Sequence, residues 1–201
     1  SRKEDQQFRK RLLKKPDSIC WDELYTVTKE IITKGKVFKQ TVDRLSVSAN
    51  ETSSKEGYRL HWYHSSKKAE HDAQRRARQL QRATQELTEL RDRLQGPKTR
   101  FRERNKVDSE VEEILKKYEV ESLLLVDVLE QEKPTYRQVS KGRPNKNTKY
   151  AKEVRKRFDI SWSIDSVRLA EAESLDGIFP LITNIKEMTA EEVLRAYKRQ
   201  P

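Results

Sequence analysis

The last 26 residues constrain the fold more than any other stretch of the chain. Ile178, Phe179, Leu181 and Ile182 form a short apolar run between Asp176-Gly177 and Thr183-Asn184, which predicts a buried strand with a turn at each end. A helix start follows at once: Thr189 with Glu192 three residues on is a capping box, and acidic residues in a first turn suit the positive end of a helix. Val193, Leu194 and Tyr197 then share one face, with Arg195, Lys198 and Arg199 around it. The chain starts at Ser1 without Met and stops at Pro201 within an apparent element, so it is expected to be a piece of a longer protein.

Composition limits how much core can be built. Hydrophobic residues make up 33 % and charged residues 38 %, against averages of about 45–50 % and 25 %, so much of the chain must lie on solvated faces or elongated elements. Lys and Arg number 44 against 33 Asp and Glu, a formal charge of +11, and a polyanion is the expected partner, nucleic acid being the commonest one. A single Cys20 excludes an internal disulfide framework and is expected as a small core residue beside Trp21. No apolar run approaches a membrane span, so a soluble, intracellular chain is expected, with no membrane partner.

In chain order, Glu4–Lys15 carries Phe8, Leu12 and Leu13 at helical spacing and is stopped by Pro16. From Ile19 to Val47 the β-branched and aromatic residues predict strands, with Lys34-Gly35-Lys36 as a hairpin turn. Asn50 to Gly57 is turn-rich, and Tyr58–His64 alternates as a further strand. Ser65 or Ser66 caps the longest helix, running to Gln95 on a seam of Ala73, Ala77, Leu80, Thr84, Leu87 and Leu94. Gly96-Pro97 ends it, and a second helix with Val107, Val111, Ile114, Leu115 and Tyr118 is expected to fold back as a helical hairpin. Leu123–Leu129 predicts a central strand, 134–152 a basic loop, Arg157–Ile164 an alternating strand with Phe158, Ile160, Trp162 and Ile164 on one face, and Val167–Ala172 a short helix.

Catalytic constellations are sparse. His61 and His64 fall on opposite faces of a strand, the wrong geometry for a shared metal, and are expected as satisfied surface residues. Of Asp127, Asp165 and Asp176, only Asp127 inside an apolar strand stands as a metal-ligand candidate; Asp176-Gly177 reads as a turn. Lys141-Gly142-Arg143-Pro144 resembles the core of an AT-hook, whose arginine enters a narrow minor groove; an ordinary basic loop on the phosphate backbone is the competing reading. Arg75, Arg76 and Arg78 could form a second phosphate-contacting face or be solvated helix charge.

The stretch Asp176–Asn184 followed by Glu191–Pro201 resembles the segment before the catalytic glutamate of insertion-sequence transposases with an RNase H-like, Asp-Asp-Glu core. The opening Arg2–Arg9, Tyr58–Lys68 and Lys141–Pro144 are similar to the same family's pattern. The resemblance implies an insertion domain between the second aspartate and the glutamate, with all three carboxylates outside the chain. It implies two divalent cations (Mg) for the parent and none for this piece, which would be inactive alone, and a bacterial, cytoplasmic location.

The family's tyrosine–arginine–glutamate–lysine signature is met at Tyr197, with Gln200 at the arginine position and Arg199 one residue early. In some relatives an aromatic residue four before a threonine stacks on a base flipped from the transposon end. Phe179 holds that place relative to Thr183, and a buried core position is the other reading.

The expected architecture is α+β: 1–65 a short helix then a β-rich half, 66–118 a projecting helical hairpin, and 119–201 a second β-rich half with a C-terminal helix. A mostly antiparallel sheet would join 19–64 to 123–183. The expected partners are the DNA of transposon ends, through Lys141, Arg143, Lys146, Lys149, Phe179, Tyr197 and Arg199, and a homodimer through the hairpin. The alternative is a non-enzymatic assembly module that pairs through the hairpin.

Overall fold

The computed structural model describes every residue except 1, 34, 35, 50, 51, 55, 97, 98, 140, 141, 145, 200 and 201. In chain order the elements are α1 (Arg2–Lys14), a short 3-10 turn (Pro16–Ser18), β1 (Trp21–Thr33), β2 (Lys36–Ser48), β3 (Thr52–Ser53), β4 (Arg59–Ser65) and α2 (Ser66–Gln95). They continue as α3 (Arg104–Lys117), β5 (Leu124–Gln138), β6 (Tyr150–Ile164), α4 (Ser166–Ser174), β7 (Ile178–Thr183) and α5 (Ala190–Lys198). The fold is α+β with antiparallel sheets, and the chain divides into two compact units, Ser1–Arg76 with Ala170–Pro201, and Ala77–Leu169.

The first unit is built around β4. This strand pairs with β2 through Tyr63–Ser65 and with β3 through Arg59 and Leu60, while β7 runs antiparallel along it from Arg59↔Thr183 to His64↔Ile178. Alternation sends Leu60 and Trp62 to one face, where they meet Phe8 and Leu12 of α1 together with Ile19 and Ile178. The Phe8 ring lies flat on Trp62, centroids 4.0 Å apart and planes at 2°. Tyr63 goes to the other face with Leu45, Val47 and Leu194 of α5. The strand expected at Tyr58–His64 is therefore present and is buried on both sides. His61 is 1 % exposed, a core residue and not a surface one.

Local polar contacts fix the entry to β7. Arg76 donates both terminal nitrogens to Asp176, at 2.8 and 2.6 Å, so this arginine is paired within the unit and is not simply solvated helix charge. Gly177 donates its N–H to Asp72 and accepts from the Ser65 N–H. Its φ is +77°, and a Cβ there would stand 2.5 Å from the Ser65 carbonyl oxygen and 2.9 Å from Ala69 Cβ. Only glycine meets both demands. Cys20 is exposed, because Trp21 and not its neighbour turns toward the core.

In the second unit, α2 contributes Ala83, Leu87, Leu90 and Leu94 to the core. Ala73 and Ala77 of the predicted seam are exposed, so the real stripe begins near half-buried Leu80 and keeps a three–four spacing through Leu94. The helix α3 buries Val107, Val111 and Ile114 and packs on β5. Side-chain pairs link α2 to α3 at Arg93–Glu110 and to the residues just after α3 at Glu86–Tyr118 and Gln79–Glu119, numbers falling on one side as they rise on the other.

Here β5 and β6 pair without a register break from Leu124↔Ile164 to Gln138↔Tyr150 and form a sheet of their own. Three sequence expectations change as a result. The sheet is not continuous between the halves, and only β7 of the second half joins the first. Leu123–Leu129 does not supply a central strand: β5 has one partner, and Leu125 and Leu129 are 55 % and 47 % exposed. The loop expected at 134–152 shrinks to the residues between Gln138 and Tyr150, since Pro134, Arg137 and Lys152 lie in paired strands. A two-stranded ribbon has free edges, where a proline without an N–H is tolerated. The turn expected at Lys34-Gly35 lies outside the described residues, although β1 and β2 pair up to Thr33↔Lys36 on either side.

Replacing Gly177 by Ala should destabilise the protein by about 1–3 kcal/mol or more, since the new Cβ meets backbone and the positive φ persists. Urea unfolding checks this; an unchanged midpoint would show that the β7 entry relaxes freely.

Candidate nucleic-acid interface

The C-terminal stretch folds as its sequence dictates. Thr189 accepts from the Glu192 N–H at 3.3 Å, and the Glu192 carboxylate accepts from the Thr189 N–H at 2.8 Å, completing the capping box. Val193 and Leu194 are buried, and Tyr63 Oη donates to the Ala190 carbonyl at 2.8 Å, which seats the first turn of α5 against β4. The segment between β7 and α5 is held by Arg59, which donates to the carbonyls of Lys186 and Met188.

This packing assembles three rings in series. Phe179 stacks on Tyr63 at 5.6 Å between centroids and 25° between planes, and Tyr197 lies 6.4 Å from Phe179 at 35°. Tyr63 is fully buried, Phe179 partly buried and Tyr197 51 % exposed, so the series runs from core to solvent. The two readings of Phe179 thus meet: one side of its ring is packed on Tyr63, and it is not sealed in the core.

Cations surround the helix end unequally. Arg195 pairs with Glu191 and lies over the Tyr25 ring; Lys198 lies over the same ring and reaches Asp43 at 3.3 Å. Arg199, at the helix C-cap, has no side-chain partner among the described residues. Gln200 lies outside the described residues.

Asp43 gave no signal in the sequence, yet it anchors this region. Its carboxylate is 5 % exposed and accepts from Ser65 Oγ at 2.8 Å, the Lys67 N–H at 3.1 Å, Ser66 Oγ at 3.4 Å and Lys198 Nζ. Burial pushes its pKa up, but the hydrogen bonds from Lys67, Ser65 and Lys198 together outweigh burial and leave it below the ordinary value. Ser65 also accepts from the Lys68 N–H at 3.1 Å, so it is Ser65 that caps α2. His64, half-buried, is held below the ordinary histidine pKa by desolvation, against the opposing pull of Asp43.

The remaining predicted residues lie in the second unit. Lys141 is outside the described residues. Arg143, Lys146 and Lys149 are exposed on the connection between β5 and β6, with no ion-pair partner among the described residues. The connection is pinned at its base by Val139 N–H to Lys149 O at 3.0 Å and by Gln138 Nε2 to Gly142 O at 3.0 Å. Tyr136 and Tyr150, which the sequence did not single out, flank it at 67 % and 52 % exposure. A groove of about 650 Å³ in this unit is lined by Glu86, Glu89, Glu110 and Glu113 with Arg93 and Lys117, an acidic surface ill-suited to nucleic acid.

Asp127 is exposed opposite Ser161, and no group of three or more His, Cys, Asp or Glu able to hold a metal occurs among the described residues. No described helix is long and apolar enough to cross a membrane. Comparisons with known protein families, with curated proteins and with solved structures each returned no match.

The depressed Asp43 pKa contributes stability above the ordinary carboxylate value of about 3.9, and this is lost as pH falls through the lower folded value. Asp43→Asn should therefore melt below wild type at pH 7, and the gap should narrow below about pH 4. A gap that stays constant with pH would show that the carboxylate's charge is irrelevant.

Proposed function

We propose that the chain is the DNA-end-binding insertion domain of a transposase with an RNase H-like, Asp-Asp-Glu core. The observation that carries this reading is the Phe179–Tyr197 pair: an edge-strand aromatic with one side packed on Tyr63, adjoined by a tyrosine half-open to solvent. Such a pair suits a base unstacked from a DNA terminus, because a supported ring loses little freedom when a base stacks on it. Arg199, at the C-cap of the same helix and two residues after Tyr197, would meet a neighbouring phosphate. The overall charge of +11 agrees with a polyanionic partner.

In the parent, two divalent cations held by carboxylates outside this chain would supply the chemistry of DNA cleavage and strand transfer. The residues here would hold the ends: Phe179 and Tyr197 by stacking, Arg199 by charge, and Lys141, Arg143, Lys146 and Lys149 on phosphates. On this reading α2 and α3 form the helical hairpin of the insertion, open to pairing with a second protomer. The alternative, a non-enzymatic assembly module whose hairpin pairs with a second protomer, would be favoured by an exposed Leu80–Leu94 stripe. Leu87, Leu90 and Leu94 are buried inside their own unit, so DNA binding is preferred.

The test is affinity for hairpin and blunt duplex DNA across a salt series, with Phe179→Ala alongside. The expected result is a linear fall of log affinity with log salt, tighter binding of the hairpin, and a roughly tenfold loss of that preference in the variant. No binding at low salt would contradict the proposal.

A further inference from the structure

The β5–β6 ribbon is longer than the core beneath it. Fifteen residues of each strand pair in unbroken register, a length of roughly 50 Å at about 3.3 Å per residue. Burial is confined to the inner end, where Leu124, Phe158 and Ile160 are covered. Beyond Phe158 every β6 residue out to Tyr150 is half-exposed or exposed, and Val154 opposite Pro134 is 52 % exposed.

Residues 133–152, the outer end and its connection, contain seven Lys and Arg and no Asp or Glu. A two-stranded ribbon with no third strand and little packing is marginal in water, and one carrying this charge repels a second copy of itself. A polyanion is the occupant that fits.

Register sorts the side chains of this arm. Tyr136 stands opposite Lys152 and Gln138 opposite Tyr150, so Tyr136, Tyr150 and Lys152 share one face, while Arg137 opposite Ala151 lies on the other. The B-DNA major groove, about 12 Å wide, admits a two-stranded ribbon, whereas the deep, narrow major groove of A-form RNA does not. We infer that the outer half of the β5–β6 ribbon is a DNA arm lying in the major groove of a duplex. Tyr136, Tyr150 and Lys152 face the base edges, and Arg143, Lys146 and Lys149 contact the flanking phosphates. This rests on the DNA reading above and adds a second contact, made with internal duplex and not with its end.

The experiment uses the full chain and a fluorescein-labelled 30-base-pair blunt duplex, read by anisotropy and by dimethyl sulfate footprinting. Wild-type protein is expected to protect guanine N7, in the major groove, and to be displaced by methyl green but not by the minor-groove ligand distamycin. Tyr136→Ala/Tyr150→Ala/Lys152→Gln should lose that protection and bind about tenfold more weakly, while keeping the hairpin preference that depends on Phe179. Arg143→Gln/Lys146→Gln/Lys149→Gln should flatten the salt slope by about three, near one per phosphate contact.

Protection of adenine N3 in place of guanine N7, displacement by distamycin, equal affinity for duplex RNA, or wild-type binding by the ribbon variant would each overturn the arm while leaving DNA-end binding intact. Absence of any duplex binding at low salt would overturn both. The footprint and the competition use wild-type protein, so they decide the matter even if a variant misfolds.

Discussion

The first unit depends on one buried carboxylate. Asp43 sits on β2 at 5 % exposure, and an uncompensated charge there would be costly. It is compensated by groups from three elements: Ser65 at the end of β4, the Lys67 N–H in the first turn of α2, and Lys198 at the end of α5. The carboxylate thus fixes where the long helix leaves the sheet and where the C-terminal helix lies on it. Tyr197 lies on the same helix, its ring 6.4 Å from that of Phe179. Tyr63 reinforces the arrangement from below, its hydroxyl bound to Ala190 and its ring beneath Phe179.

The two units present different chemistry. In the first, the cations of α5 next to the aromatic series are already paired, Arg195 with Glu191 and Lys198 with Asp43, so what is offered is ring surface with Arg199 at the helix end. In the second, the cations of the β5–β6 connection have no described acidic neighbours, and what is offered is charge on a narrow support. Stacking tolerates any base and charge tolerates any sequence. On the proposed function, both properties would serve to hold DNA while groups outside this chain do the chemistry.

What the sequence revealed follows the range of the interactions involved. The Thr189–Glu192 capping box, the stop at Pro16 and the amphipathic α1 are set by neighbours within four residues, and all were legible. Strand partners were not: alternation in β6 says which residues share a face but not that β5 is its sole partner, so one sheet was expected where two exist. The double burial of β4 arises because α1 and α5, far away in sequence, cover opposite faces. The Arg76–Asp176 pair spans 100 residues, and neither sequence reading of Arg76, phosphate contact or solvated helix charge, included it. Of the predicted interface, Phe179, Tyr197 and Arg199 fall in the same unit. The arm face with Tyr136 and Tyr150 was hidden because a Pro- and Lys-rich stretch reads as loop until its register is known.

The central claim is that the ring of Phe179, backed by Tyr63 and adjoined by Tyr197, receives a base from a DNA end. Photocrosslinking tests it most directly: 5-iodouracil is placed at the terminal base of a hairpin DNA, the bound complex is irradiated, and the crosslinked peptide is identified by mass spectrometry. The account predicts crosslinks on Phe179 or Tyr197. Crosslinks confined to other residues, or none while the hairpin remains bound, would contradict it.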